Sequence, residues 1–291
     1  MKTYDSLFTL SKDQSRETAF AAFFPPAGNR DFDLPFHWIA EKTLDGINAW
    51  MFEQEVFRKK YSFTKYPKLR NYLNYTFMRL QFLENEDGGG YFIRSEDDKC
   101  ICFNSGLQDK FESDLILTFE KFVPRTQEEQ HCDWVYTGVY TPQSPKYIEK
   151  FGSAVPKLAW YTKDSRDYIF DLSYSLNKEL FGHVFERAKE RAGMREASDE
   201  VVKIYLTGVL SGLVPKIKRN YKVAIPIYYV QEKKMQLLLP FPAVSGDKYS
   251  AFLVERDDSA KSYILKTILD MDHAYFAARL ITRPDEFWLK P

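Results

Sequence analysis

The sequence predicts an α+β fold: mixed or antiparallel sheets with packed helices, in a single large domain. Three observations predict it. Strand-like runs fall into two groups, near 91–173 and 221–256. Helix-like runs come in clusters. The two kinds of element do not alternate strictly, as they would around a parallel sheet. Two strand groups allow one large mixed sheet or two packed ones. With 291 residues, 44% of them hydrophobic, the chain is long enough to bury a large core.

Residues 1–46 give weak signals, and 1–45 reads as an N-terminal extension docking on an α+β body over 46–291. "FFPPAGNRDFDLP" (23–35) is a turn-rich connector. "FHWIAEKTL" just after it carries an apolar face that would dock. "YPKLRNYLNYTFMRLQFL" (66–83) predicts a helix, because Leu69, Leu73, Phe77, Leu80 and Leu83 recur at the spacing of one helical face. Pro67 suits its first turn, and "ENEDGGG" (84–90) ends it. "YFIRS" (91–95) and "KCICFNSGL" (99–107) read as paired strands joined by the acidic turn "EDD". "SDLILTFEKFV" (113–123) and "DWVYTGVYT" (133–141) read as strands separated by the polar loop "PRTQEEQHCD" (124–133). "KLAWYT" (157–162) and "YIFDLS" (168–173) read as two shorter ones.

"FGHVFERAKERAG" (181–193) is helical, with Gly193 as its stop. "SDEVVKIYLTGVLSGLVPKIKRN" (198–220) is a longer helix. Ser198 is its N-cap, and Asp199 and Glu200 suit the positive end of the dipole. Val202, Leu206, Val209, Leu210, Leu213 and Ile217 mark its buried face, and Pro215 should kink or restart it. Strands follow at 221–230, 235–242 and 249–256, the first two paired as a hairpin around "QEKK". "SYILKTIL" (262–269) fits strand or helix. "DMDHAYFAARLI" (270–281) is a helix capped by Asp270, and "PDEFWLKP" closes the chain. No internal repeat or low-complexity tract is evident.

Composition excludes several function classes. Lys plus Arg and Asp plus Glu both number 41, for a net charge of zero. A large DNA-binding surface is therefore not expected, and any anion site must be local. Aromatic residues, at 16%, suit either a core or a base-stacking surface. Three cysteines, Cys100, Cys102 and Cys132, argue against a disulfide framework and for a reducing compartment. No apolar stretch approaches the roughly 18 residues of a membrane span. The first 15 residues lack the apolar region of a signal peptide, so the expected location is cytoplasmic. His37, His131, His183 and His273 form no metal-binding spacing with one another or with the cysteines, and no metal site is expected. There is no nucleophile elbow, phosphate-binding P-loop or dinucleotide glycine fingerprint.

Four stretches could carry chemistry. "CFNSGL" (102–107) places Asn104, Ser105 and Gly106 at a strand end, where Gly106 would let the backbone approach a ligand. Taken alone, the same residues read more readily as a plain strand-end turn. "KIKRNYKVAIPIYY" (216–229) sets Lys216, Lys218, Arg219 and Lys222 around Asn220 and Tyr221. Helix-dipole complementarity explains Lys216 and Lys218. It explains Lys222 less well, because Lys222 reads as part of the strand, where it and Arg219 could converge on phosphate. In the last helix Asp272, Tyr275 and Arg279 share one face, as a structural stripe or a pocket wall. "LRNYLNYTFMRL" carries Asn71, Asn74 and Arg79 on or near a polar side. His183 and Asp171 could form a general-base pair, although spacing does not place them in contact.

Taken together, "RNYKVAIP" (219–226), "MQLLLPF" (235–241), "TILDMDHAYFAARLITRPDEFWL" (267–289), "FNSGL" (103–107) and "NYLNYTFMRL" (71–80) resemble a family known only as a domain of unknown function, number 3825. The resemblance covers about 45–291. Members of that family often pair this domain with small RNA-binding modules of the LOTUS or cold-shock kind. The resemblance thus implies an RNA- or nucleotide-linked role and no established reaction. Ser105 stands where the family usually has Thr, which keeps the hydroxyl. Ala277 and Ala278 stand where an Asn is frequent, which removes an amide.

The polar residues the resemblance picks out are Asn71, Arg79, Asn104, Gly106, Arg219, Asn220, Lys222, Gln236, Asp272, Tyr275 and Arg279. They are expected to line one cationic pocket. Arg219 and Lys222 would hold phosphate, and the Asn104–Gly106 turn would offer N–H donors. Tyr275 would meet a base, and Asp272 would orient a cation or act as a base. Two function classes follow. One is an RNA- or nucleotide-processing domain with phosphoryl-type chemistry, Asp272 and His183 as catalytic groups, and Mg²⁺ arriving with a nucleotide. The other is a non-catalytic RNA- or nucleotide-sensing module. An interaction scaffold with solvated charges is a third reading.

Overall fold

The computed structural model describes residues 2–8, 18–51, 64–123, 132–177, 182–230, 232–246 and 248–282, for His183 without its side chain. The fold is α+β, with two mixed five-stranded sheets and six α-helices among the described residues. The chain divides into two compact units, Met1–Trp160 and Tyr161–Pro291.

In the first unit, β2 (Phe92–Arg94), β3 (Cys100–Gln108), β4 (Asp114–Lys121) and β5 (Cys132–Tyr140) form an antiparallel meander. β1 (Ala19–Ala22) lies parallel to β5, with Ala21 opposite Trp134. Sequence periodicity does not mark β1, because "AFAA" has neither alternation nor β-branched residues. Pairing with β5 makes it a strand. It belongs to residues 1–45, and further contacts hold that segment. Gln81 brackets Tyr4, accepting from its N–H and donating to its carbonyl, and Asn74 Oδ1 accepts from Leu7 N.

The apolar face read at 66–83 becomes α2 (Pro67–Glu86), which follows α1 (Leu34–Lys42) and buries Leu69, Leu73, Phe77, Leu80 and Leu83 completely. It stops before Gly88, Gly89 and Gly90, all at positive φ. Phe77 of α2 meets Phe92 and Phe103 of the sheet at centroid separations of 5.8 and 5.9 Å. Phe20, Phe119 and Trp134 extend the aromatic layer. Alternation sends Cys100, Cys102 and Ile116 to the opposite face, against Tyr147 and Phe151 of α3 (Pro145–Phe151).

The second unit repeats this order. β7 (Ile225–Tyr229), β8 (Lys234–Pro242), β9 (Tyr249–Asp257) and β10 (Ser262–Leu269) form a meander, and the short β6 (Ser175–Leu176) lies parallel to β10. α4 (Gly182–Arg191) and α5 (Asp199–Arg219) cover the face bearing Leu237, Leu239, Phe241, Phe252 and Val254. α6 (Met271–Arg279) covers the other, against Ile225, Ile227, Leu238, Ala251 and Leu253. In both units a helix before the meander covers one face and a helix after it covers the other. The repeat lies in hydrogen-bond order, not in sequence.

Several expectations change. Residues 157–162 and 168–173 form no strand. A 3-10 turn, Ser165–Tyr168, stands between them, capped by Asp164, and Asp171 holds the next turn through Ser173. Asp-led turns satisfy part of this backbone, and Lys157 N and Asp171 N reach the Gly90 carbonyl and Tyr263 Oη in place of a sheet partner. The 262–269 ambiguity resolves as a strand, since β10 completes the ladder of β9. α5 continues through Pro215 to Arg219. Pro215 lies on the exposed side, where a distortion disturbs no core packing. Most of 124–133, and all of "RPDEFWLKP", lie outside the described residues.

Candidate functional site

In the first unit the Asn-Ser-Gly stretch closes on itself. Pairing of β3 with β4 shifts register after Asn104, which opposes Ile116, while Gln108 opposes Asp114. Gly106 sits at φ +74, and a Cβ there would fall 2.8 Å from Tyr72 Oη. Glycine here accommodates a bulge and a close tyrosine. Asn104 Oδ1 accepts from Gly106 N at 3.0 Å, and its Nδ2 donates to Asp114 at 2.9 Å. Ser105 Oγ donates to the Leu115 carbonyl at 2.5 Å and accepts from Leu107 N at 3.2 Å. Of the N–H donors expected to face a ligand, Gly106 N is thus engaged within the chain, and Asn104 and Ser105 are buried.

Arg79 is buried rather than on a polar side. Its Nε donates to the Trp160 carbonyl at 2.7 Å, and its guanidinium lies over the Phe82 and Trp160 rings at 5.2 and 5.1 Å. Asn71 is half-buried on α2. The amides that anchor the N-terminal segment are Asn74 and Gln81. Their spacing of seven residues on one helix was the legible signal, and it points to packing.

In the second unit the basic stretch stands outward. Lys216, Lys218, Arg219, Asn220, Tyr221 and Lys222 are all exposed, Tyr221 by 60%. Lys222 belongs to a 3-10 turn, Tyr221–Val223, and not to the strand, which starts at Ile225. Asn220 causes this. It ends α5, and its Oδ1 accepts from Lys222 N at 3.1 Å, winding one more turn. All four cations therefore gather at one helix C-terminus, where the dipole favours them. Arg219 Nη1 donates to the Pro215 carbonyl at 3.1 Å. Among the described residues neither Lys216, Lys218 nor Arg219 is ion-paired.

The remaining candidates are buried. Asp272, Tyr275 and Arg279 lie in α6 at 3%, 2% and 9% exposure, and Gln236 in β8 at 2%. Tyr275 packs with Ile227, Leu238 and Leu253. Alternation sets Gln236 on the same face as Leu238, directly opposite Glu255. Gln236 Nε2 donates to Glu255 at 3.3 Å, while its Oε1 meets no donor among the described residues. Glu255 also accepts from Lys234 at 2.9 Å and pairs with Lys266 at 3.2 Å. Burial raises its pKa, but the two lysines outweigh burial and hold it below the usual range. A cavity of about 10 Å³ bounded by Gln236, Arg256, Asp167 and Tyr263 admits no more than a water. Where the sequence reading expected one pocket, the cations are exposed and Asp272, Tyr275 and Arg279 are buried.

His183 lies on α4, and Asp272 on α6, across the sheet from it. Asp171, the other partner considered for His183, accepts from Ser173 N and Oγ. Sequence reading missed a contact at Asp270. Besides capping α6, Asp270 receives His273 Nδ1 at 2.8 Å, and Arg191 of α4 approaches to 3.4 Å. Burial raises the Asp270 pKa, but His273 and Arg191 together bring it below its ordinary value. The i, i+3 spacing of Asp270 and His273 was the available signal. Burial pushes the Cys102 thiol up to about 12, against a lesser opposing effect of Tyr147, so it is no nucleophile at neutral pH. Among the described residues no group of three or more His, Cys, Asp or Glu is placed to hold a metal. No helix among them is long and apolar enough to cross a membrane.

The family described as Domain of unknown function (DUF3825) matches residues 47–288. The chain belongs to that family. The match of this DUF3825 chain spans the second unit nearly whole and the first from its 3-10 turn, Ile47–Trp50, onward, leaving β1 and α1 outside. No curated protein and no solved structure matches it.

Proposed function

We propose that this DUF3825 chain is an RNA- or nucleotide-binding domain that takes phosphate on the exposed basic end of α5. One observation carries the reading. Lys216, Lys218, Arg219 and Lys222 surround Tyr221 on a single exposed helix end, in a chain whose net charge is zero. Arginine supplies a planar fork for phosphate oxygens, and the lysines supply point charges. A tyrosine 60% exposed among them offers a face for a base. A surface of this size fits a few phosphates and not a duplex, in keeping with the neutral whole.

Binding without turnover is the form the geometry supports best. Phosphoryl-type processing needs an acid–base group beside the phosphate site. Asp272 is buried in the α6 layer, and α4, which carries His183, packs on the opposite face of the sheet. Thermal melts with nucleotides, dinucleotides and short 5′-phosphorylated RNA, with and without Mg²⁺, test the reading. A ligand that binds only the folded chain stabilises it by about 2.7 kcal/mol at a hundredfold excess over Kd. The expected result is a concentration-dependent rise in Tm that Arg219→Ala reduces, with the ligand recovered intact by chromatography. Cleaved or altered ligand would establish processing instead. A shift undiminished by Arg219→Ala and Lys222→Ala would put the ligand elsewhere.

A further inference from the structure

The outward side of α5 carries apolar groups that no described residue covers. Val201 and Ile204 are 50% and 73% exposed. Gly208, Ser211 and Pro215 follow, all exposed. Positions 201, 204, 208, 211 and 215 recur at three- and four-residue spacing, so they form one stripe. That stripe lies opposite the buried Val202, Leu206, Leu210, Leu213 and Ile217. Glycine is poorly suited to a helix interior, yet Gly208 and Gly212 both lie within α5. A Cβ built on either meets no atom within 4 Å. The fold of this chain therefore does not require glycine there. A surface arriving from outside, close against the backbone, would use the space they leave.

We propose that this face pairs with the same face of a second copy of the chain, α5 against α5, antiparallel about a two-fold axis near Gly208. Charge selects the occupant and the direction. α5 begins with Asp199 and Glu200 and ends with Lys216, Lys218 and Arg219. Glu200 and Lys218 are 18 residues apart, which is about five turns, so they lie on the same flank. A parallel pair would set Glu200 beside Glu200 and Lys218 beside Lys218. An antiparallel pair brings each Glu200 to the last turn of the other copy, where Lys218 lies, and it does so twice by symmetry. The helix dipoles oppose favourably in the same arrangement. The same operation sets Ile204 over the second copy's Gly212 and Val201 beside its Pro215. A large side chain then fills the space a missing one leaves. A single helix pair buries less than the roughly 800 Å² per partner of a standard stable interface, so association is reversible and rises with concentration.

The proposal does not rest on RNA binding, because its readout is the mass of the chain alone. Sedimentation equilibrium of the full chain over a hundredfold concentration range is expected to show the average mass rising from one chain toward two. Ile204→Glu and Gly208→Leu should hold it at one. Gly208→Leu improves helix propensity, so a circular-dichroism melt should show it folded and no less stable. Glu200→Lys and Lys218→Glu should each weaken association by about three- to tenfold, as expected for two symmetric exposed ion pairs. Combining them should restore it. A mass of one chain at every concentration overturns the proposal, as does a dimer that Gly208→Leu and Ile204→Glu leave intact. Failure of the double reversal to recover association overturns the antiparallel arrangement.

Discussion

The first unit builds a meander of β2–β5 with β1 parallel at its edge, and the second builds β7–β10 with β6 in the same place. The first is covered by α2 before the meander and α3 after it, the second by α4 and α5 before it and α6 after it. The fillings differ. The first core is a layer of rings, from Phe20 and Phe77 through Phe103 and Phe119 to Trp134. The second is mostly branched aliphatic, with Leu206, Leu210, Leu213, Leu237, Leu239 and Val254. Polar groups differ as well. Two that the family resemblance singles out in the first unit, Asn104 and Arg79, are tied into bonds within it. The second presents Arg219 and Lys222 to solvent and buries Asp272 and Arg279. One backbone order therefore accepts two kinds of core, and only the second unit turns some of its signature charges outward.

The largest effects should come from the two cores. Phe103→Ala removes a ring that meets Phe77, Phe92 and Phe119, at an expected cost of about 3–5 kcal/mol. Leu239→Ala in the second unit should cost about 2–5 kcal/mol. Urea unfolding measures both. A loss under 1 kcal/mol at either position would mean that the layer holding it is not a packed core.

Glycine should distinguish the units by sign. Gly106→Ala meets Tyr72 Oη and a φ of +74, and should destabilise by about 1–3 kcal/mol. Gly208→Ala lies in open space on a helix and should stabilise by about 0.8–1 kcal/mol. Equal signs in thermal melts would contradict the different roles assigned to the two glycines.

Caps give the smallest and most pH-dependent contrast. α6 is capped by a charged Asp270 and α3 by a neutral Ser144. Asp270→Ala should cost about 1–2 kcal/mol at pH 7, and Ser144→Ala about 0.5–1 kcal/mol. The folded pKa of Asp270 is depressed. Its contribution is therefore complete above the unfolded value and is lost as pH falls through the folded one. The Asp270→Ala deficit should shrink below about pH 4, near the unfolded carboxylate value, while the Ser144→Ala deficit stays level. A deficit for Asp270→Ala that does not change with pH would assign the cap to geometry alone.

Periodic and capping signals carried most of the fold. The spacing of Leu69, Leu73 and Phe77 marks α2, and Ser198 and Asp270 mark the starts of α5 and α6, because these signals are local. β1 was hidden, since "AFAA" becomes a strand only through its partner β5. The twofold topology was hidden for a similar reason, because hydrogen-bond order leaves no matching residues behind. At the candidate site, composition located the cations on α5 correctly. It could not show that Asn220 winds Lys222 into a turn, or that Gly106 serves Tyr72. Both depend on where a side chain points once the backbone is set.

The phosphate recognition proposed at the end of α5 is what sets the second unit apart. Fluorescence anisotropy of a labelled single-stranded RNA, measured against salt concentration, tests it most directly. Three or four neutralised phosphates should give a slope of log K on log salt of about −2 to −3. The slope should fall toward zero in a chain carrying Lys216→Ala, Lys218→Ala, Arg219→Ala and Lys222→Ala, with its melting temperature nearly unchanged. Binding with the full slope in that folded variant, or no binding by the native chain at low salt, would contradict the claim.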